Sequence, residues 1–395
     1  MRGTRTSIVA AALAVTLTST AGAAIATSPD PYHDGGRSVT AGESSELATG
    51  LLGPLRVAVG RGNTAYVSQN LGGKLTRVDR SGEITTLLDR PGIEIGGVST
   101  RHGEVYFTES SGGPQDPEAP YVANVSVLED GETRVLADLA ALETEYNYDA
   151  GNEYGFQGLP AECASRIPAD LAPIALPHGG EAYSHPYATA VSDSGRYVYV
   201  ADAGANAIFT VDTRRGSVDA TVLEPVPTLE TAELVASLAE QGFALPECVV
   251  GATFNAEPVP TDIEFGPAGL LYLTSLPGTP EAPGSGSVRS FDPRSGDVDV
   301  VVAGLNTPTG LAFDRRGNLF IAELFANRIL VVPAGTDEAV PFTEAVLPAD
   351  VEVDGKYLYA TTNALPCSPE VVTDPPCDPA PQGALERTRL EYGRK

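Results

Sequence analysis

The sequence predicts an all-β fold, a single six-bladed β-propeller, from three observations. Six heads recur along the chain: PLRVAV (54–59), IGGVST (95–100), PYATAV (186–191), PTDIEF (260–265), PTGLAF (308–313) and PADVEV (348–353). Each is followed by an apolar strand rich in β-branched and aromatic residues: AYVSQ (65–69), VYFTE (105–109), VYVAD (198–202), LYLTS (271–275), LFIAE (319–323) and LYATT (358–362). The last unit ends one strand short, and a segment near the N-terminus matches what is missing.

Turn signals separate head from strand, among them Gly62-Asn63, Ser194-Gly195, Gly317-Asn318 and Asp354-Gly355. Third and fourth strands follow, as in 288–292 and 298–302. Radial packing of such sheets buries both faces, which accounts for apolar runs in place of clean alternation. In the N-terminal stretch, ATGLLGPLRV (48–57) lines up with VAGLNTPTGL (302–311), the outer strand and next head of an interior unit. Residues 46–51 are therefore expected to close the last blade, within a propeller spanning 45–393.

Residues 1–26 read as a cleavable signal peptide: Arg2 and Arg5 precede an apolar stretch, followed by two small-residue cleavage sites. The apolar stretch is too short for a membrane span, and no later segment reaches about 18 uninterrupted apolar residues. The reading is a secreted, extracellular chain without membrane insertion, with 27–44 as a disordered tail. Among its 395 residues, 52 acidic side chains outnumber 25 basic ones, giving a net charge of −27. Such a surface repels phosphate backbones, so nucleic acid is excluded as a partner. An unidentified small molecule or an extracellular protein remains, with the chain a monomer.

Four cysteines in an exported chain suggest two disulfides, with three pairings open. Cys367 and Cys377 lie ten residues apart in a Pro-rich stretch and suit closure of that loop, leaving Cys163 for Cys248. Neither spacing suits zinc.

Long insertions interrupt the repeat at about 139–184, 225–258 and 363–382. In a meander of antiparallel strands the 4→1 and 2→3 connections emerge on one face, so all three decorate the same side. Long loops on a rigid scaffold are where function concentrates. ETAELVASLAEQG (230–242) predicts a helix stopped by Gly242, and 139–145 a shorter one. Tyr146, Tyr148, Tyr154, Phe156, Tyr183 and Tyr187 cluster in the first insertion and the head behind it. They read as packing of the loop or as a stacking surface for an aromatic or sugar ligand.

One position in each head should line the central channel: Arg56, Gly97, Ala188, Asp262, Gly310 and Asp350. Asp350 and Arg56 fall in blades adjacent around a closed ring and suit an ion pair. Asp262 and Asp350 could instead offer oxygens to calcium, the one cofactor the pattern leaves open, although a full set of six or more ligands is not identifiable. Asp202 and Glu323, at second-strand ends, suit hydrogen bonding to hairpin backbone. His185, just before its head, is the histidine placed at the channel mouth. There is no G-x-S-x-G elbow, metalloprotease motif or phosphate loop. No catalytic constellation is complete.

PTGLAFDRRGNLFIAE and YVADAGANAIFTVD resemble NHL-type repeats. A closer resemblance is to the ScyD/ScyE family of secreted bacterial β-propellers. It is carried by LADLAALETEYN (136–147), AYSHPYATAV (182–191) and VPTDIEFGPAGLLYLTSLPGTP (259–280), in an order covering most of 46–390. The resemblance implies an exported propeller and offers no catalytic motif to carry over. The Cys-containing additions at 152–180, 224–250 and 364–382 depart from it. The expectation is a binding or scaffold protein acting through its insertion-bearing face. The alternative is a divalent-metal-dependent lactonase or esterase of the SMP-30/gluconolactonase type, whose expected acidic ligand in the first head is here Arg56.

Overall fold

The computed structural model describes residues 38–114, 116–240, 242–278, 284–365 and 382–393. Within them the six heads become the first strands of six four-stranded antiparallel sheets. The first sheet runs Pro54–Gly60, Thr64–Gln69, Lys74–Val78 and Ile84–Asp89. The next four repeat this meander, and their first strands are Glu94–Arg101, Pro186–Val191, Pro260–Phe265 and Pro308–Phe313. The sixth begins with Asp350–Asp354, followed by Tyr357–Thr362 and Gly383–Tyr392. First strands of successive sheets pack against one another, and that of the sixth returns to the first, so the sheets form a closed ring.

Burial on both faces explains the apolar runs. Tyr106, Val125 and Val127 of the second sheet meet Val198, Val200 and Phe209 of the third. Ile208 of the third meets Ile263, Leu273 and Phe291 of the fourth. The core is thus a set of apolar wedges between sheets, each interior sheet contributing to two. Glycine in two heads has a steric reason. A Cβ on Gly310 would lie 2.5 Å from Asp350 Oδ1, and one on Gly97 would lie 2.7 Å from the Ala188 Cα. The next first strand can approach only because these positions are bare.

The ring closes through Val39–Leu51, the fourth strand of the last sheet, which runs antiparallel to Gly383–Tyr392. This strand starts earlier than the sequence suggested. Val39 faces Tyr392 and Thr40 faces Glu391, so the tail expected over 27–44 already belongs to the sheet from residue 39. Polar residues such as Glu43 and Ser44 give the segment few apolar anchors, yet an outermost strand is largely solvated and needs few. Val39, Ala48 and Leu51 supply them.

The long 4→1 insertions emerge on the expected common face, because the antiparallel order fixes the side of each connection. Leu139–Tyr146 is helical, capped by Asp138, whose carboxylate accepts the Ala141 N–H at 3.0 Å, and ended by Asn147 in the left-handed region. Ala232–Glu240 forms the other predicted helix. Unforeseen is a three-stranded sheet made jointly by the two insertions: Gly155–Gln157 pairs with Thr253–Ala256, which pairs with Val226–Leu229. Phe156, Val235, Val249 and Phe254 form its core, and the disulfide Cys163–Cys248 sits among them, with Cα atoms 5.8 Å apart. Cys367 and Cys377 lie outside the described residues.

Candidate functional site

The channel is closed at its centre by one side chain. Arg56 is 2% exposed and reaches from the first sheet to four others. Its guanidinium donates to the carbonyl oxygens of Thr309 (2.7 Å), Tyr187 (3.3 Å) and Thr261, and stands 3.6 Å from Asp350 Oδ1. The Tyr187 ring covers it, with Cζ 4.6 Å from the ring centroid. A planar fork with five donors can satisfy several strand ends at once, which no other side chain could do here. The ion pair expected between Arg56 and Asp350 is therefore one part of a hub.

The two head aspartates spend their oxygens on backbone. Asp350 accepts from Val57 N–H of the first sheet at 2.8 Å and from its own neighbour Val351 at 2.9 Å. Asp262 does the same for Leu311 of the fifth sheet (2.7 Å) and Ile263 (2.9 Å). Each thus stitches one first strand to the next. On the same two strands stand Glu264 and Glu352. Burial raises the proton affinity of all four, and neighbouring carboxylates add to it for Glu264, Asp350 and Glu352, with Glu352 pushed up to about 8. Arg56 offsets this for Asp262 and Asp350. Among the described residues, no three His, Cys, Asp or Glu side chains converge as metal ligands.

At the loop-bearing mouth, His185 meets Glu94, with Nε2 3.0 Å from Oε2. The Asn70 amide donates to the other Glu94 oxygen at 2.9 Å, and Ser68 donates to Asn70 at 2.8 Å. Asp202 fixes the far side by accepting the His185 N–H (2.7 Å) and the Ser184 hydroxyl (2.5 Å). Aromatic rings flank the imidazole: Tyr187 lies edge-on at 5.8 Å and Tyr183 tilted at 6.1 Å, the latter stacked on Tyr121. The His185 and Glu94 side chains remain 27% and 25% exposed. Burial alone would lower the His185 pKa, but the Glu94 carboxylate reverses this and raises it. Burial would likewise raise Glu94, but His185, Asn70 and Arg56 hold it low. Each partner thus favours the charged form of the other, imidazolium beside carboxylate. Leu55, Leu324, Ala349 and Ala364 form an apolar cluster that Tyr187 joins.

Glu94 and Asn70 were not singled out in the sequence, and what marks the place of Glu94 is a feature of the backbone. Glu94 and His185 each stand one residue before their heads. The corresponding residues of the other four heads, Gly53, Val259, Thr307 and Leu347, all have positive φ, and Glu94 and His185 do not. A left-handed Val or Thr is strained, so that conformation is the rule of the repeat and the two site residues are its exceptions.

The other tyrosines separate. Tyr154 is 1% exposed and donates to Asp149 at 3.0 Å, so it braces the insertion and offers no ligand surface. Tyr148 packs edge-on against Phe209, and Tyr146 is exposed with its ring against Tyr148. Asp202 binds the hairpin amides of Gly204 and Ala205 as expected, whereas Glu323 accepts from Asn306 N–H and from Arg328. Arg328 and Glu323 line a cleft of about 450 Å³ between the fourth and fifth sheets. Its Arg and Glu are already bonded to each other.

No protein-family model matches the chain, and no curated protein matches it in sequence. Its structure is similar to that of PQQ-bound aldose sugar dehydrogenase from Streptomyces coelicolor, with TM-score 0.52 and 14% identity, covering 90% of this chain and 98% of that one. It is similar to a putative glucose dehydrogenase from Thermus thermophilus, with TM-score 0.50 and 16% identity over 88% and 99% of the two chains. A Bacteroides thetaiotaomicron protein of unknown function gives TM-score 0.51 and 11% identity over 90% and 76%. Identities this low carry the fold alone. With the closed ring of four-stranded sheets, they establish the chain as a β-propeller.

Proposed function

We propose that this propeller is an exported binding protein whose ligand is a small molecule held at the loop-bearing channel mouth. The observation that carries this is the half-buried His185–Glu94 pair set between Tyr183 and Tyr187 over a floor closed by Arg56. A pocket with aromatic walls and a few convergent polar groups suits a planar or sugar-like ring. Glu94 occupies His185 Nε2, leaving Nδ1 as a donor, so the ligand should also carry a carboxylate or carbonyl oxygen. Export is supported by the leader-like residues 1–26 and by the Cys163–Cys248 disulfide, which suits an oxidising compartment. The resemblance to the ScyD/ScyE family points the same way. The metal-dependent lactonase reading is weakened because Asp262 and Asp350 are committed to backbone amides and Arg56 already occupies the axis.

The test is a ligand screen on the mature chain with aromatic carboxylates and sugar acids, read by thermal shift and calorimetry. A hit should bind His185→Ala at least about tenfold more weakly, the loss of one charge-assisted hydrogen bond. Tyr146→Ala should leave binding unchanged. Equal affinity for wild type and His185→Ala would remove the mouth as the site.

A further inference from the structure

The seam between the three-stranded insertion sheet and the propeller holds a buried carboxylate that neither the channel nor the mouth uses. Glu230 directly follows the strand Val226–Leu229. Its N–H donates to the Ala252 carbonyl at 3.0 Å and its carbonyl accepts the Gly251 N–H at 2.8 Å, so its backbone is locked into the second insertion. Alternation along the strand puts its side chain on the face of Thr228, which pairs with Phe254. There it meets the 2→3 connection of the fourth sheet. Glu230, Phe254 and Ala256 from the insertion, and Pro277, Gly278 and Ser285 from that connection, line a common cavity. The connection is itself bonded to the chain leaving the insertion sheet: Gly278 N–H donates to the Glu257 carbonyl at 2.8 Å, and Leu276 N–H to that of Val259 at 3.0 Å.

Nothing at the seam compensates this carboxylate. Glu230 is 2% exposed, and its Oε2 meets no hydrogen-bond donor among the described residues. The cavity beside it measures about 10 Å³, room for one water at most and far too little to hydrate an ion. Among the described residues, the titratable groups on the elements around it are Glu224, Glu233, Glu240, Glu247 and Glu257. The first four are exposed, and Glu257 accepts from the Asn206 amide at 3.4 Å. No charge, that of Arg289 on the next strand of the fourth sheet included, offsets burial, which alone pushes Glu230 up to about 7.

We propose that Glu230 is a pH-sensitive latch between the insertion sheet and the fourth sheet. Neutral, it lies in the dry seam and lets the two surfaces stay in contact. Ionised, it must reach water, and the seam opens to let it out. The proton is held more tightly in the closed seam than in water. Closure is therefore fully favoured below about pH 4.5 and is lost as pH rises through about 7. The Cys163–Cys248 disulfide joins the two insertions to each other and not to the fourth sheet, so opening leaves it intact. The latch is separate from the His185–Glu94 mouth and stands whether or not that mouth binds a ligand.

Hydrogen–deuterium exchange of the full mature chain from about pH 6 to about pH 8, corrected for intrinsic exchange rates, tests this. The amides of Glu230, Gly251 and Gly278, all hydrogen-bonded at the seam, should lose about tenfold in protection over that range, as titration through about 7 requires. Strands away from the seam, such as Leu319–Glu323, should keep theirs. Glu230→Gln keeps the side-chain volume and does not titrate, so its seam protection should stay level with pH. Glu230→Leu serves the same purpose where the glutamine variant does not fold. Level seam protection in wild type across the range would overturn the proposal. So would an equal fall in either folded variant, or a fall shared by the whole ring, since the titrating group would then lie elsewhere.

Discussion

Arg56 shows how one residue can be read correctly in its partner and incompletely in its role. Position in the repeat identified Asp350 as its neighbour, but repeat spacing carries no information on how far a side chain reaches across an axis. The guanidinium bonds carbonyls on three further sheets, so its removal strands acceptors in a buried place. Arg56→Met should cost about 3–5 kcal/mol of stability, read by chemical denaturation. A loss under about 1 kcal/mol would reduce the hub to a surface-type ion pair. Glu352 makes a pH prediction. Its folded pKa of about 8 lies above the usual carboxylate value, so the proton is held more tightly in the fold than in the unfolded chain. Its contribution is fully present below about pH 4.5 and is lost as pH rises through 8. Glu352→Gln should therefore match wild type at pH 4.5 and exceed it by about 1–2 kcal/mol at pH 9, after allowing for water in the channel. The His185–Glu94 pair behaves in the opposite, bounded way. It is intact between the depressed Glu94 and raised His185 values and weakens on either side.

At the level of elements, heads and second strands were legible because β-branched and aromatic runs between Gly and Asn turns have few other solutions. Helices at Leu139–Tyr146 and Ala232–Glu240 were legible from spacing and a stop residue. The sheet shared by the two insertions was not. Its strands are three or four residues long, one of its two pairings spans about a hundred positions, Phe156 opposite Phe254, and no local pattern encodes such a pairing. The start of the closing strand was missed for a related reason: its partner lies at the other end of the chain. The candidate site was half legible. His185 was visible as a lone histidine before a head, while Glu94 became visible only beside the left-handed residues at the matching places. The Cys163–Cys248 bridge lies inside the core of the shared sheet, and replacing both cysteines by serine should lower stability by about 2–4 kcal/mol. Melting of the oxidised wild type and the double variant compares them directly, and equal melting would show that the insertions hold together without it.

For the whole molecule, the ring makes two unequal faces. On one, short turns such as Gly60–Thr64 and Asp354–Tyr357 connect strands, and the channel beneath Arg56 carries Glu264 and Glu352. On the other stand the insertions, the shared sheet and the His185–Glu94 mouth. Closing the channel with Arg56 keeps these faces apart, so a ligand at the mouth is held at the surface of the ring and does not pass through it. That separation is what the functional reading rests on. Hydrogen–deuterium exchange of the mature chain with and without a screened ligand tests it most directly. The account predicts slowed exchange in backbone amides around 93–97 and 183–189, at the mouth, with the turns of the opposite face unchanged. Protection confined to the opposite face, or to the outer cleft between the fourth and fifth sheets, would contradict it.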